Sequence, residues 1–201
     1  MQGRLFNRKT NPKVKGGKVQ KKNDHRKTPW RGFVVDRVSP AKGYRHLVTK
    51  REIFDFIELL PDWRELIHGI ERIRLTSGSE STDATYTHFN REGTGLIELF
   101  AWQKDLVQEI PHQHFDAHRS IFERIELKFE RKKEDVVCWF DEAKAKAFIL
   151  VHIFTHELGH HHDRMNAKRH TLSRGEDYAE TFANRLEDGV WPKYVAKFGK
   201  P

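Results

Sequence analysis

Two histidines four residues apart, with a glutamate directly after the first, stand in the run HELGHHHD that begins at His156. The apolar segment AFILVHIF overlaps its start. On a helix of about 3.6 residues per turn, His156 and His160 point the same way. Paired imidazoles on one face can grip a zinc ion, and Glu157 beside them is placed to act as a general base. Two histidines and a glutamate on an apolar helix would otherwise be polar groups in need of partners. Gly159, between the histidines, costs about 1 kcal/mol of helix stability relative to alanine and leaves room for another element to pass closely.

A third ligand is required. The downstream segment EDYAETFANRL offers Glu176, with His170 as its rival. Small Ala179 would let a second helix lie across the first, and Glu180 could orient a ligand imidazole from outside. An ordinary reading competes: Ser173 and Glu176 are spaced for a capping box, and glutamate is common in a first helical turn. With two imidazoles and one carboxylate, zinc keeps an open position for water and moves its pKa towards neutrality. Glu157 would take the proton as a carbonyl is attacked. Tyr178, Arg174, His170 and His152 are the candidates for supporting the developing oxyanion. The chemistry expected is hydrolysis of peptide bonds in a protein or peptide substrate.

The other histidines read as less chemical. His161, His162 and Asp163 are expected to end the helix in water rather than form a second metal patch, QHFDAH with His114 and His118 to be a polar surface loop rather than an active-site loop, and His88 to sit near a hairpin turn. Cys138 reads as a core residue in a strand.

A chain of 201 residues with fourteen Phe and five Trp is long enough for one packed domain. A single cysteine excludes an internal disulfide framework. No signal-peptide pattern and no run of roughly 18 apolar residues is seen, so a cytoplasmic protein without a membrane partner is expected. The net charge of +8 is unevenly spread. Residues 1–31 carry 11 Lys or Arg against Asp24 alone, a net of +10, which leaves the remainder at about −2. Residues 1–29 are expected to be a disordered basic arm, suited to weak contact with nucleic acid or another acidic partner or serving only solubility. Residues 30–201 are expected to form the domain.

These residues must be positioned by a mixed set of elements. GFVVDRV reads as a strand with a turn at PAKG. Thr49 and Glu52 form a capping box for a helix through REIFDFIELL that stops at Pro61, and DWRELIHGI follows as a short helix. ERIRLTSG is a strand, and ATYTHF and GLIELFAW form a hairpin around NREGTG. ERIELKFERK alternates, with Ile125, Leu127 and Phe129 on one face, and DVVCWF follows after a turn at KKED. From Glu142 to Met165 the pattern is a central apolar helix. A last long helix runs from about Gly175 to Glu187, and WPKYVAKF adds a further turn. GLIELFAW is the strand expected beside the cleft, where an extended peptide could pair with its edge.

HELGH and the ExxAE pattern of EDYAETFANRL resemble the zinc-binding helix and second-helix motif of zincin metallopeptidases, specifically minimal gluzincins, which include repressor-cleaving and radiation-response regulators. The resemblance spans roughly residues 90–190. It implies an α+β zincin-like fold: a twisted, mostly antiparallel sheet with an antiparallel edge, packed on an active-site helix, with a second helix supplying the third ligand. It also implies Glu176 as that ligand, Glu157 as catalytic base and Glu180 as the outer carboxylate. The chain departs from the pattern where HHHD replaces the usual apolar stretch after HExxH, and where Glu180 stands for the Asp or Asn of several relatives. It also has no clear helix-turn-helix unit. Two other readings fit the same residues: a zinc-binding interaction protein of this fold that does not cleave, and a nucleic-acid-associated protein working through its arm.

Overall fold

A computed structural model describes residues 32–78, 82–89, 92–166 and 174–201. It also describes two short backbone segments of the arm, β1 (Lys13–Lys15) and β2 (Lys18–Gln20), which pair antiparallel. The rest of residues 1–29, and with it the expectation of a disordered arm, lies outside the described residues. Residues 1–31 and 32–201 are separate compact units.

The body is α+β. Its main sheet has the order β3-β5-β7-β6, from β3 (Val34–Arg37), β5 (Ile70–Thr76), β7 (Thr94–Phe100) and β6 (Ala84–Phe89). β3 runs parallel to β5 and β5 to β7, while β6 returns antiparallel along β7. The sheet is therefore parallel inside with one antiparallel edge, rather than mostly antiparallel. The crossover from β3 to β5 carries α1 (Lys50–Ile57) and the short α2 (Trp63–Leu66), and it is this connection that allows the parallel pairing. Thr49 caps α1: its hydroxyl accepts from the Glu52 backbone N–H at 3.2 Å, and the Glu52 carboxylate accepts from the Thr49 N–H at 2.7 Å.

β4 (Tyr44–Arg45) pairs with β8 (Trp102–Gln103). A second, antiparallel sheet follows in the order β10-β11-β9, from β10 (Lys128–Arg131), β11 (Asp135–Trp139) and β9 (Val107–Pro111). Between β9 and β10 lie two short helices, α3 (His112–Ala117) and α4 (Arg119–Arg124). The strand expected over ERIELKFERK is shortened at its start. Ile125 closes α4, Glu126 takes a left-handed φ of 51°, and Leu127 donates back to the Phe122 carbonyl at 2.9 Å. Ile125 and Leu127 are buried by the end of α4, whereas Phe129 stays half exposed, its ring against Phe115. Period-two alternation there records two different elements meeting.

The central helix runs through α5 (Glu142–Ala147), a π-helical segment Phe148–Ile153, and α6 (Phe154–Asn166). Asp141 caps its start by accepting from the Lys144 N–H at 2.8 Å. All six π-helical residues are buried, as the apolar run FILVHI requires of a helix covered on every side. α7 (Glu176–Phe198) crosses it and extends well past Glu187. Pro192 lies inside α7 and removes one backbone donor. Packing outweighs that loss: Val190 and Tyr194 are buried, Trp191 stacks on Tyr194 with centroids 5.7 Å apart, and Tyr194 meets Phe198 in a tilted pair at 5.0 Å. Among the described residues no helix is long and apolar enough to cross a membrane.

Candidate metal centre

The site forms where α6 and α7 touch. A Cβ added to Gly159 would lie 2.7 Å from the Ala179 Cα and 3.0 Å from its carbonyl oxygen, closer than side chains pack. The two small residues thus let one helix backbone lie directly on the other. Gly175 is the N-cap of α7, with φ 73° and ψ −151°, and Glu176 is the first helical residue. A capping box would need Glu176 at the third position, so its carboxylate is not used that way. Ser173 and His170 lie outside the described residues.

This crossing brings His156, His160 and Glu176 together. His156 Nε2 lies 3.1 Å from one Glu176 oxygen and His160 Nε2 lies 3.4 Å from the other. Two ligand atoms bound at about 2.0–2.1 Å to a tetrahedral zinc ion sit about 3.3 Å apart. The spacing therefore suits three ligands around one ion, and the donor set of two imidazoles and a carboxylate suits zinc. The Glu176 side chain is largely exposed, so this corner opens to solvent.

Glu157 is only 7% exposed and lines the same cleft. Burial pushes its carboxyl up to about 7; the charge of His156 opposes the shift and that of Glu176 adds to it. A carboxyl near neutrality can both take and return a proton at physiological pH.

Behind His156 stands Glu180. One of its oxygens lies 3.3 Å from His156 Nδ1, 3.4 Å from His152 Nε2 and 3.7 Å from His118 Nε2. The other accepts from the Asn184 amide at 3.2 Å. Burial alone would raise the Glu180 carboxyl, but the close approach of the His152 and His156 rings and the charges of His152 and His118 hold it well below the carboxylate range. His152, 1% exposed, also bonds Glu187 through Nδ1 at 2.5 Å, and Glu187 is equally buried. Burial disfavours the charged ring, yet the two carboxylates push its pKa up to about 9.

Tyr178 and Arg174 do not reach the cleft. The Tyr178 hydroxyl meets His162 Nδ1 at 2.7 Å, and the Arg174 guanidinium lies over the Tyr178 ring, 3.6 Å from its centre. Tyr178 is two residues from Glu176, about 200° around the helix at 100° per residue, which turns it to the other side of α7. Arg174 instead binds Asp163, which accepts from its Nε at 2.6 Å and from its backbone N–H at 2.5 Å.

The HHHD run does not end the helix in water. His161 and Asp163 are buried, His162 stacks on Tyr178, and α6 continues to Asn166. His161 Nε2 donates to the His68 carbonyl at 2.8 Å, so its Nδ1 accepts from the Tyr86 hydroxyl at 3.0 Å. Tyr86 in turn accepts from His88 Nδ1 at 3.0 Å. This chain of hydrogen bonds clasps β6 onto α6.

β6, not the strand GLIELFAW, borders the cleft. β7, which holds that sequence, lies between β5 and β6 with Ile97 and Leu99 buried. His118 belongs to the cleft, the less favoured of the two places expected for QHFDAH. It is 8% exposed and lines the cleft with His114. Only the i, i+4 spacing of His114 and His118 signals it; its partners His152 and Glu180 are distant in the chain. No family model matches the chain, and no curated protein or solved structure matches it.

Proposed function

We propose that the protein is a zinc-dependent hydrolase of peptide bonds. His156, His160 and Glu176 hold the ion, and Glu157 is the general base. The observation that carries this reading is the convergence of two imidazole nitrogens on the oxygens of Glu176, with the buried Glu157 carboxyl one residue from a ligand and lining the same cleft. A bound zinc ion supplies Lewis acidity and brings water close to ionisation at neutral pH. Glu157 takes the proton released as water adds to the carbonyl, and returns it to the departing amine. Glu180 keeps the His156 ring in place through Nδ1 and leaves Nε2 for the ion. Among the described residues β6 pairs only with β7, so its outer backbone edge can add an extended peptide as a further strand. The cleft beside β6 is lined by Thr85, Tyr86 and His88 on that side and by His156, Glu157 and His160 on the other.

The test is cleavage of unfolded protein substrates by the zinc-loaded chain and by Glu157→Gln. The variant should keep its fold and zinc and lose about 100-fold or more in rate. Equal cleavage by the two proteins removes Glu157 from the chemistry. No cleavage by a zinc-loaded wild type leaves a metal-binding scaffold that does not hydrolyse.

A further inference from the structure

We propose that His118, His152 and Glu180 form a second site for a divalent transition-metal ion, separate from the one held by His156, His160 and Glu176. Each of the three offers one ligand atom, and these atoms all lie within 4.8 Å of one another. His118 Nδ1 donates to the His114 carbonyl at 2.7 Å, and His152 Nδ1 donates to Glu187 at 2.5 Å. Both rings are therefore anchored through one nitrogen, with Nε2 turned towards the same Glu180 oxygen. That arrangement is how proteins orient imidazole ligands: an outer acceptor fixes the ring and the far nitrogen meets the metal.

The distances suit a ligand set. His152 Nε2 and His118 Nε2 lie 3.4 and 3.7 Å from Glu180, beyond the usual 2.7–3.2 Å of a nitrogen–oxygen hydrogen bond. They are close to the spacing of about 3.3 Å between ligands of one tetrahedral ion. His152 Nε2 is buried and has no hydrogen-bond partner, a costly condition unless something fills the space it faces. The rings are rigidly packed: Phe148 stacks on His152 with centroids 5.5 Å apart and meets His118 edge-on at 6.0 Å. Two imidazoles and a carboxylate select zinc or cobalt over magnesium or calcium. Glu180 also touches His156 Nδ1, so it joins the two sites.

The proposal is independent of hydrolysis, because the readout is metal content. Wild type, full length, is saturated with zinc, freed of excess metal by gel filtration, and assayed by mass spectrometry beside His118→Gln, His160→Ala and the double variant. Two equivalents are expected in wild type, one in each single variant and none in the double. Because His118→Gln could disturb packing, circular dichroism checks the fold, and cobalt titration of wild type gives the count without any variant. Its visible absorption should rise to two equivalents. Saturation at one equivalent that His118→Gln retains overturns the second site, as do two equivalents retained by His118→Gln. One equivalent lost in His118→Gln and kept in His160→Ala overturns the first site instead.

Discussion

Gly159→Ala is the sharpest probe of the helix crossing. The added Cβ would sit 2.7 Å from the Ala179 Cα, whereas carbon atoms prefer about 3.5–4.0 Å. The obstacle is backbone, so α7 must retreat from α6 by about 1 Å. Overpacking of this kind costs about 1–3 kcal/mol, and with rigid backbone as the neighbour the upper half applies. Alanine returns about 1 kcal/mol of helix propensity. The net loss is about 1–2 kcal/mol, or a fall in Tm of about 2–8 °C for a body of this size. Glu176 is one turn before Ala179 on the retreating helix. Its oxygens would leave the 3.1 and 3.4 Å approach to His156 and His160, and zinc affinity should drop about 10–100-fold. Calorimetric melting and chelator competition read both effects, the second in a His118→Gln background so that one site is counted. An alanine variant with unchanged Tm and unchanged zinc affinity would refute the close crossing and the positioning role given to it.

Further outcomes follow from neighbouring contacts. Asp163→Ala removes the acceptor of the Arg174 backbone and side chain, should destabilise by about 1–3 kcal/mol, and should weaken zinc binding because α7 starts two residues later. Arg174→Ala keeps the backbone bond and should cost less; denaturant titration that ranks the two the other way rejects the clasp. Burial raises the Asp83 carboxyl from an ordinary 3.8 to about 6, against an opposing hydrogen bond from Gln108. The folded chain then binds that proton more tightly than the unfolded chain, so this contribution is full below about pH 4 and is lost as pH rises through 6. Asp83→Asn should be more stable than wild type well above pH 6, by about 3 kcal/mol, with the gap closing towards pH 4. A gap independent of pH in thermal melts contradicts the assignment.

Local signals were legible where the partners are near in sequence. The Thr49–Glu52 capping box and the hairpin of β6 and β7 could be read because each follows from a short spacing, and Gly159 and Ala179 because a small residue within a helix motif leaves room for a close crossing. What needed the fold was the meeting of distant groups. His118 looked like a surface histidine because nothing beside it announces His152 and Glu180. His161 and Asp163 looked solvated because charge near a helix end usually is, whereas Tyr86 and Arg174 come from elsewhere to cover them. Position in the chain does not separate β6 from β7 as the border strand, because both belong to one hairpin; the apolar alternation of β7 marks it as the covered member. Tyr178 has the residue type for oxyanion support and lies two residues from Glu176, but the turn of α7 carries it to the other side of the helix.

The most direct measurement is a crystal structure of the zinc-loaded chain with anomalous data collected at the zinc edge. The account predicts a peak about 2.0–2.2 Å from His156 Nε2, His160 Nε2 and a Glu176 oxygen together. Zinc bound elsewhere, with no peak shared by those three side chains, would contradict it.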